Sequence, residues 1–387
     1  MSASISFHLV SCSEVFAISP LFLNYEMNTI FTFEKLFRAY KQCLKHKKNT
    51  ANALKFEIDR EKNLSKLLYE LQTGKYRISR HICFVVTRPA PREIFAADFR
   101  DRIVHHLLCN ELQQIFERQF SNNSYANRKN FGTHKAVKKL QWNVSRGGVD
   151  GKTLYYLKMD IKNFFRSIDK NILWRLVKNK IEIEDRSMSW KNEVSWLARM
   201  IIFHNPTDNY IFKGKIATKK LIPTEKSLLY GDRSKGLPIG NLTSQFFANV
   251  YMNELDWFVL NNLWTDRYFR YVDDFILLDE NKEKIKLCAK QISVFCHNSL
   301  SLKICPTKTV LRDVCQGVDF LGYFVKPTHT IIRQKVIKRF KIKFSKIIDS
   351  ETGFVDTRNL PTIKSYFGHF SHASSYNLCL KYGLILD

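Results

Sequence analysis

Two adjacent acids, Asp273 and Asp274, interrupt what otherwise reads as a pair of short β-strands, Tyr271-Val272-Asp273-Asp274-Phe275-Ile276-Leu277-Leu278. Apolar and aromatic residues on both sides demand strands, and the acids between them demand a turn. Two like charges are thereby held at one hairpin tip. Asp is also a common turn residue, so on its own the pair fits an ordinary hairpin equally well.

Two further segments change that balance. In Tyr155-Tyr156-Leu157-Lys158-Met159-Asp160-Ile161-Lys162-Asn163-Phe164-Phe165, a strand ends in an acid and turns into two aromatics. In Gly236-Leu237-Pro238-Ile239-Gly240-Asn241-Leu242-Thr243-Ser244-Gln245, a glycine-rich turn opens a helix. Carboxylates converging on one point tolerate each other only with cations between them, and two divalent ions about 4 Å apart need several such ligands. Asp160 at the end of one strand, opposite Asp273 and Asp274 on a neighbouring hairpin, would supply them. One ion would activate a 3′-hydroxyl and the other would steady a triphosphate and its leaving group.

Charge points the same way. The chain of 387 residues carries 62 Lys and Arg against 36 Asp and Glu, a net charge of +26. Hydrophobic residues make up 45% and aromatics 13%, enough to build a core and to exclude a disordered basic tail. A folded chain this basic implies a polyanionic partner, bound through phosphates and counterion release; the plainer alternative is a solvated basic surface. The nine cysteines are dispersed without a Cys-x-x-Cys pair, as in a reduced intracellular protein. Residues 1–26 hold no Lys or Arg and Pro20 breaks their apolar stretch, so neither a signal peptide nor a membrane span is expected. They read as an extension without assigned role, and the location as cytoplasmic.

Along the chain, periodicity predicts helix over 32–71, a strand at 81–86, and a non-helical segment at 87–92 that contains Pro89 and Pro91. Helix follows at 103–116, then a turn at Gly147, Gly148 and Gly151, and a strand at 153–159. One long helical stretch is predicted at 170–203, a loop or hairpin at 205–235, helix up to 262, and two strands over 268–278. Helix at 283–299, a strand at 318–325 and a basic, mostly helical remainder complete the reading, with no repeat or low-complexity tract.

The order of the three segments, with Tyr-Val-Asp-Asp in the last, resembles the reverse transcriptase family from about residue 33 to the C-terminus. Ile239-Gly240-Asn241-Leu242-Thr243-Ser244-Gln245 is more similar still to the reverse transcriptases of diversity-generating retroelements. Group II intron and retroviral enzymes usually carry Gln-Gly and Ser-Pro where this chain has Ile239-Gly240 and Ser244-Gln245. The segments 91–102, 124–128 and 365–370 resemble the same subfamily.

That resemblance implies Asp160, Asp273 and Asp274 as metal ligands, with the Ile161 carbonyl as another. Magnesium would be the ion, in two copies, with manganese able to substitute. It implies Phe165 as the steric gate against a 2′-hydroxyl, and Arg92 and Arg88 as triphosphate contacts, a task that suits guanidinium. Ile239, Gly240 and Gln245 would lie at the nucleotide. Lys308 would lie near the β- and γ-phosphates as a general acid, and 317–323 would grip the primer. Arg128, Arg333, Lys335, Lys338 and Arg339 are candidate nucleic-acid contacts. Arg333 to Lys341 has apolar residues at 336, 337 and 340, so one face would pack and the other would meet phosphates. Each has a plainer reading: Phe165 as core, Lys308 as a solvated loop lysine, Ile239 as packing. Arg100 and Arg102 fit either nucleic-acid contacts or partners of Asp98 and Asp101.

The expected fold is α+β, a right hand with fingers at 27–150, a palm of antiparallel sheet backed by helices at 151–325, and a helical thumb at 326–387. Expected partners are an RNA template, a DNA or RNA primer, dNTPs and a small basic accessory protein, with no membrane. The resemblance also implies error-prone copying, chiefly at template adenines; in keeping with weaker discrimination, Ile239 cannot report on a base by a hydrogen bond. Rival readings are a defence-associated or retron-like reverse transcriptase, a template-free polymerase, and a non-catalytic RNA-binding protein on the same fold. No appended nuclease or maturase domain is expected.

Overall fold

The computed structural model describes residues 29–45, 47–147, 152–347 and 357–384. The expected extension at 1–26 and two of the expected turn glycines, Gly148 and Gly151, lie outside them.

The first helical stretch is three helices, Phe33–Leu44, Ala51–Ile58 and Arg60–Gln72. The first is capped by Thr32, whose hydroxyl accepts from the Lys35 N–H at 3.3 Å. Leu36, Ala39, Tyr40 and Cys43 then fall on one buried face. They pack against the helix Phe99–Phe116, which starts four residues earlier than its apolar periodicity suggests. Asp98 sets that start, its carboxylate accepting from the Arg100 N–H at 3.2 Å.

Three sheets organise the rest. Strands β1 (His81–Val86) and β2 (Arg92–Ala96) form an antiparallel hairpin whose tip carries the two prolines. The 205–235 segment contributes β4 (Tyr210–Phe212), which joins β1 in parallel, and otherwise forms short 3-10 turns. The central sheet has the order β5-β6-β3-β7, with β3 at Tyr155–Asp160, β5 at Tyr268–Tyr271, β6 at Asp274–Asp279 and β7 at Val310–Asp313. All its pairings are antiparallel.

Alternation along β3 and β6 sends Leu157, Met159, Phe275 and Leu277 into one core and Tyr156, Ile276 and Leu278 into another. The sheet is therefore clamped on both faces. Helices Leu242–Asn262 and Lys282–Leu300 bury residues in the first core, and helix Thr133–Ser145 buries residues in the second.

The predicted single helix at 170–203 is two packed helices, Lys170–Ile183 and Met188–Phe203. Ser187 starts the second, its hydroxyl accepting from the Trp190 N–H at 3.2 Å. The predicted single strand at 318–325 is likewise a hairpin. Leu321 and Gly322 both take positive φ, 50° and 94°, and divide β8 (Val318–Phe320) from β9 (Tyr323–Val325). With β10 (Thr330–Ile332) they form the third sheet.

Helices Gln334–Phe344, Leu360–Phe370 and Tyr376–Lys381 follow and share a small core around Phe340, Phe370 and Cys379. The architecture is α+β with largely antiparallel sheets. The eight described cysteines are all free, and among the described residues no helix is long and apolar enough to cross a membrane.

Candidate active site

The register of the central sheet assembles the site. Asp160, the last residue of β3, stands directly opposite Asp274, the first of β6. Asp273 occupies the tip between β5 and β6, and its carbonyl accepts from the Ile161 N–H at 3.3 Å. Three acids distant in sequence thus meet at one end of one sheet.

The tip is a demanding turn. Val272, a β-branched residue, takes φ 61°, the left-handed region, at a cost of about 1–2 kcal/mol. Arg270 holds it there. Its guanidinium is 0% exposed and donates from Nη1 to the Val272 carbonyl at 3.0 Å. The remaining donors reach both Asp256 oxygens at 2.6 Å, Ser124 Oγ at 2.8 Å and Asn249 Oδ1 at 3.3 Å. All five N–H donors are used. A signal for Arg270 was present in the sequence: an arginine inside an apolar strand has to find a buried carboxylate.

Electrostatically, the acids are crowded. Burial pushes Asp273 up to about 6, and the charges of Asp160 and Asp274 add to it while Lys308 opposes. Burial also raises Asp274 to about 6 against the pull of Lys158. Two lysines partly neutralise the cluster. Lys308 Nζ lies 2.7 and 2.8 Å from the two Asp160 oxygens, and Lys158 Nζ lies 3.0 Å from Asp274 Oδ2. Burial lowers the Lys308 pKa, but its hydrogen bond and ion pair with Asp160 prevail and raise it.

With these contacts made, no group of three ligating side chains among the described residues surrounds a point where an ion could sit. The donor chemistry nevertheless suits a hard divalent cation, being all carboxylate oxygen. Asp274 Oδ1 is buried without a hydrogen-bond partner, the kind of orphan that a cation satisfies. Beside the acids opens a groove of about 510 Å³, lined by Lys158, Lys308, Arg312 and Arg333 among others.

The glycine turn closes another side. Gly236 N–H donates to the Ile168 carbonyl and Leu237 N–H to the Phe165 carbonyl, both at 2.8 Å. Phe95 N–H of β2 donates to the Ile239 carbonyl at 3.1 Å, and Ala97 N–H donates to Asn241 Oδ1 at 3.0 Å. The turn is therefore stitched between the aromatic pair after Asp160 and the strand that begins with Arg92. Gly240 has φ 115°, and a Cβ there would lie 2.7 Å from Ile94 Cγ2, so β2 and the turn approach as closely as only glycine permits. Ile239 and Phe165 are half-buried, while Phe164 is the member of the pair that enters the core. Gln245 is exposed one turn into the following helix.

Arg92 is exposed at the start of β2, and Arg88 is exposed at the tip of the β1–β2 hairpin. Between Arg92 and the turn, buried Glu93 accepts from Ser227 Oγ at 2.7 Å and from the Leu228 N–H at 2.9 Å, a tie that sequence reasoning missed.

Among the basic candidates the structure discriminates. Arg128 does not face solvent. Its side chain is 4% exposed and donates to Glu117 Oε1 at 2.7 Å and to the Ser121 and Ser124 carbonyls at 2.6 and 2.9 Å. It braces a loop, and the expectation that it meets nucleic acid is corrected accordingly. Arg100 pairs with Glu70, and Arg102 donates to the Ala97 carbonyl at 2.8 Å. Arg333 pairs with Asp319 at the rim of the groove that holds the acids. Lys335, Lys338 and Arg339 are exposed on the helix Gln334–Phe344, whose Phe340 is buried, with Val336 and Ile337 half-buried.

Comparison with known proteins follows the same lines. Residues 90–325 match the sequence profile of the reverse transcriptase (RNA-dependent DNA polymerase) family. The group II intron-encoded protein LtrA of Lactococcus lactis subsp. cremoris is 22% identical over 344 residues, covering 72% of this chain and 51% of that protein. The chain thus spans about half the length of that relative. Protein YkfC of Escherichia coli K12 is 21% identical over 301 residues, covering 69% of this chain and 70% of its own. Among solved structures, an apo telomerase from Candida tropicalis overlays with a TM-score of 0.49 at 12% identity, covering 83% of this chain and 58% of that one. The profile takes in the β2 strand, the three acids, the glycine turn and the β8–β9 hairpin, and by that match the chain belongs to the reverse transcriptase family.

Proposed function

We propose that the chain is an RNA-directed DNA polymerase that extends a primer 3′ end with dNTPs on an RNA template. The observation that carries the reading is the register pairing of Asp160 with Asp274, with Asp273 at the adjoining tip. In this reading the subdomains are fingers at 27–150, palm at 151–325 and thumb at 326–387. Asp160, Asp273 and Asp274, with the Ile161 carbonyl, would hold two magnesium ions. Such ions lower the pKa of a bound hydroxyl and stabilise charge on a leaving pyrophosphate.

The residues of the chain do the rest. Arg92 and Arg88 meet the triphosphate from the β1–β2 hairpin. Phe165, fixed through its carbonyl to the glycine turn, abuts the sugar at C2′. Lys308 keeps its proton at neutral pH and offers it to the phosphates. Lys335, Lys338 and Arg339 meet the backbone of the duplex.

The finer reading is a retroelement enzyme that copies inaccurately at template adenines during mutagenic retrohoming, working with a small basic accessory protein. It rests on Ile239, whose half-buried apolar side chain at the turn offers no hydrogen bond to a base. The rival reading, a non-catalytic RNA-binding protein, draws on the Lys308–Asp160 and Lys158–Asp274 pairs, which neutralise two acids without metal. Primer extension on an RNA template separates them. Magnesium-dependent incorporation that a chelator stops supports the polymerase, whereas tight RNA binding without any incorporation supports the rival.

A further inference from the structure

Outside the acid cluster, one surface combines cations and aromatic faces in a way the catalytic reading does not use. The helix Thr133–Ser145 buries Ala136, Val137, Leu140 and Val144 in the second core. Its opposite face carries Lys135, Lys138, Lys139 and Trp142, spaced i, i+3, i+4, i+7, all exposed. Between this face and the loop that ends at Phe131 lies a groove of about 520 Å³, whose lining includes Tyr125, Phe131, the three lysines and Trp142, and no carboxylate.

The aromatic rings are already cation-bearing. Lys135 Nζ sits 3.8 Å from the Phe131 ring centre, Lys139 Nζ 4.4 Å from that of Trp142, and the Arg146 guanidinium 3.8 Å from the same ring. Trp142 remains 46% exposed.

We propose that this groove binds an unpaired stretch of the RNA template, by base stacking on Trp142 and by phosphate contacts from Lys135, Lys138 and Lys139. That the strand is the template rests on the function proposed above. Lysines alone would serve any polyanion, so the rings decide the class of occupant. In a duplex the base faces are covered by their neighbours, whereas an unpaired strand presents them to an aromatic platform. The position agrees. The helix begins at Thr133, whose hydroxyl donates to the Tyr271 hydroxyl at 3.3 Å, and Tyr271 immediately precedes the acid-bearing turn. From there the helix runs about 20 Å across the second face of the central sheet. A strand leaving the acids along it would meet Phe131 first and Trp142 after it.

The test measures binding of the full chain, without dNTPs, to a labelled single-stranded RNA, to single-stranded DNA of the same sequence and to a blunt RNA–DNA duplex. Because no catalysis is read, an enzyme that failed to polymerise would still answer it. Trp142→Ala should weaken the single-stranded RNA about tenfold, the worth of one stacked base, and leave the duplex within about twofold. Trp142→Phe should restore most of the loss, which a purely electrostatic surface would not do. Equal losses for duplex and single strand would make the groove a general phosphate surface and overturn the proposal. So would unchanged affinities in Trp142→Ala, which would mark a solvated helix face, and so would a loss confined to DNA.

Discussion

The buried pair beneath the acid-bearing turn yields the most quantitative expectation. Asp256 and Arg270 are both 0% exposed and joined by two bonds of 2.6 Å, and Tyr268 donates its hydroxyl to the same carboxylate at 2.8 Å. Asp256→Asn leaves the volume unchanged but removes the charge and one of the acceptors. The guanidinium is then buried without its counterion, a change that typically costs about 3–5 kcal/mol. Against a total of about 5–15 kcal/mol for a folded protein, this is a large fraction. Urea unfolding followed by tryptophan fluorescence should show that loss at pH 7. A loss below about 1 kcal/mol would refute the claim that the pair is desolvated and essential to the fold. Arg270→Lys is the companion variant. It keeps the charge but cannot serve Asp256, Ser124, Asn249 and Val272 together, because lysine has three donors on one atom instead of a planar fork of five. Conditions that keep it folded should reveal lower kcat with RNA affinity retained; a kcat equal to wild type would show that the Val272 turn holds itself.

Three further expectations concern the turn and its surroundings. Phe165→Val opens space at the proposed sugar gate, so the preference for dNTPs over rNTPs should fall by about tenfold, equivalent to ~1.4 kcal/mol; an unchanged ratio would return Phe165 to a packing role. Ile239→Gln should lower misincorporation opposite template adenine more than opposite other bases, as read by sequencing cDNA copied from one RNA, and equal adenine error rates would remove Ile239 from fidelity. His81 and His105 lie behind the turn, where burial lowers them to about 4 and about 3, with neighbouring imidazoles adding to the effect. Between pH 6.5 and about 4 the unfolded chain binds protons that the folded chain refuses. Each histidine therefore contributes a loss of about 1.4 kcal/mol per pH unit as the pH drops through that window, while Asp101, Asp273 and Asp274, raised by burial to about 6, take up protons in the folded chain there and oppose it. His81→Phe, which keeps a ring stacked on His204, should remove that residue's share, so that the variant gains stability relative to wild type as the pH falls from 6.5 to about 4, and an unchanged difference would contradict the assignment.

The acids and the glycine turn were legible because their chemistry is local. Alternation of apolar residues fixes which way β3 and β6 face, and an acid ending each strand then has to lie at the sheet's end. Helix starts are legible where a cap stands in the chain, but Asp98 and Ser187 lie outside the apolar periodicity, which alone starts one helix too late and runs two together. The hairpin at Leu321-Gly322 and the strand β7 were missed for a different reason. Each is three or four residues long and draws its stability from neighbours rather than from its own pattern. Side-chain partners were the least legible. Arg128 and Arg333 look alike in sequence, but one is enclosed by Glu117 and two carbonyls while the other rims a groove. Lys308 and Lys158 reach the acids only because β3, β6 and the segment after Cys305 are brought together by pairings more than a hundred residues apart.

The central claim is that Asp160, Asp273 and Asp274 form one metal-dependent site for nucleotide addition. Single-nucleotide incorporation on a primed RNA template, with magnesium, measures it most directly in the wild type, Asp160→Asn and Asp273→Asn. The account predicts that each substitution abolishes incorporation while RNA affinity stays nearly unchanged, because the acids bear on the metals and not on the phosphate backbone. Near-normal extension by either variant would contradict it.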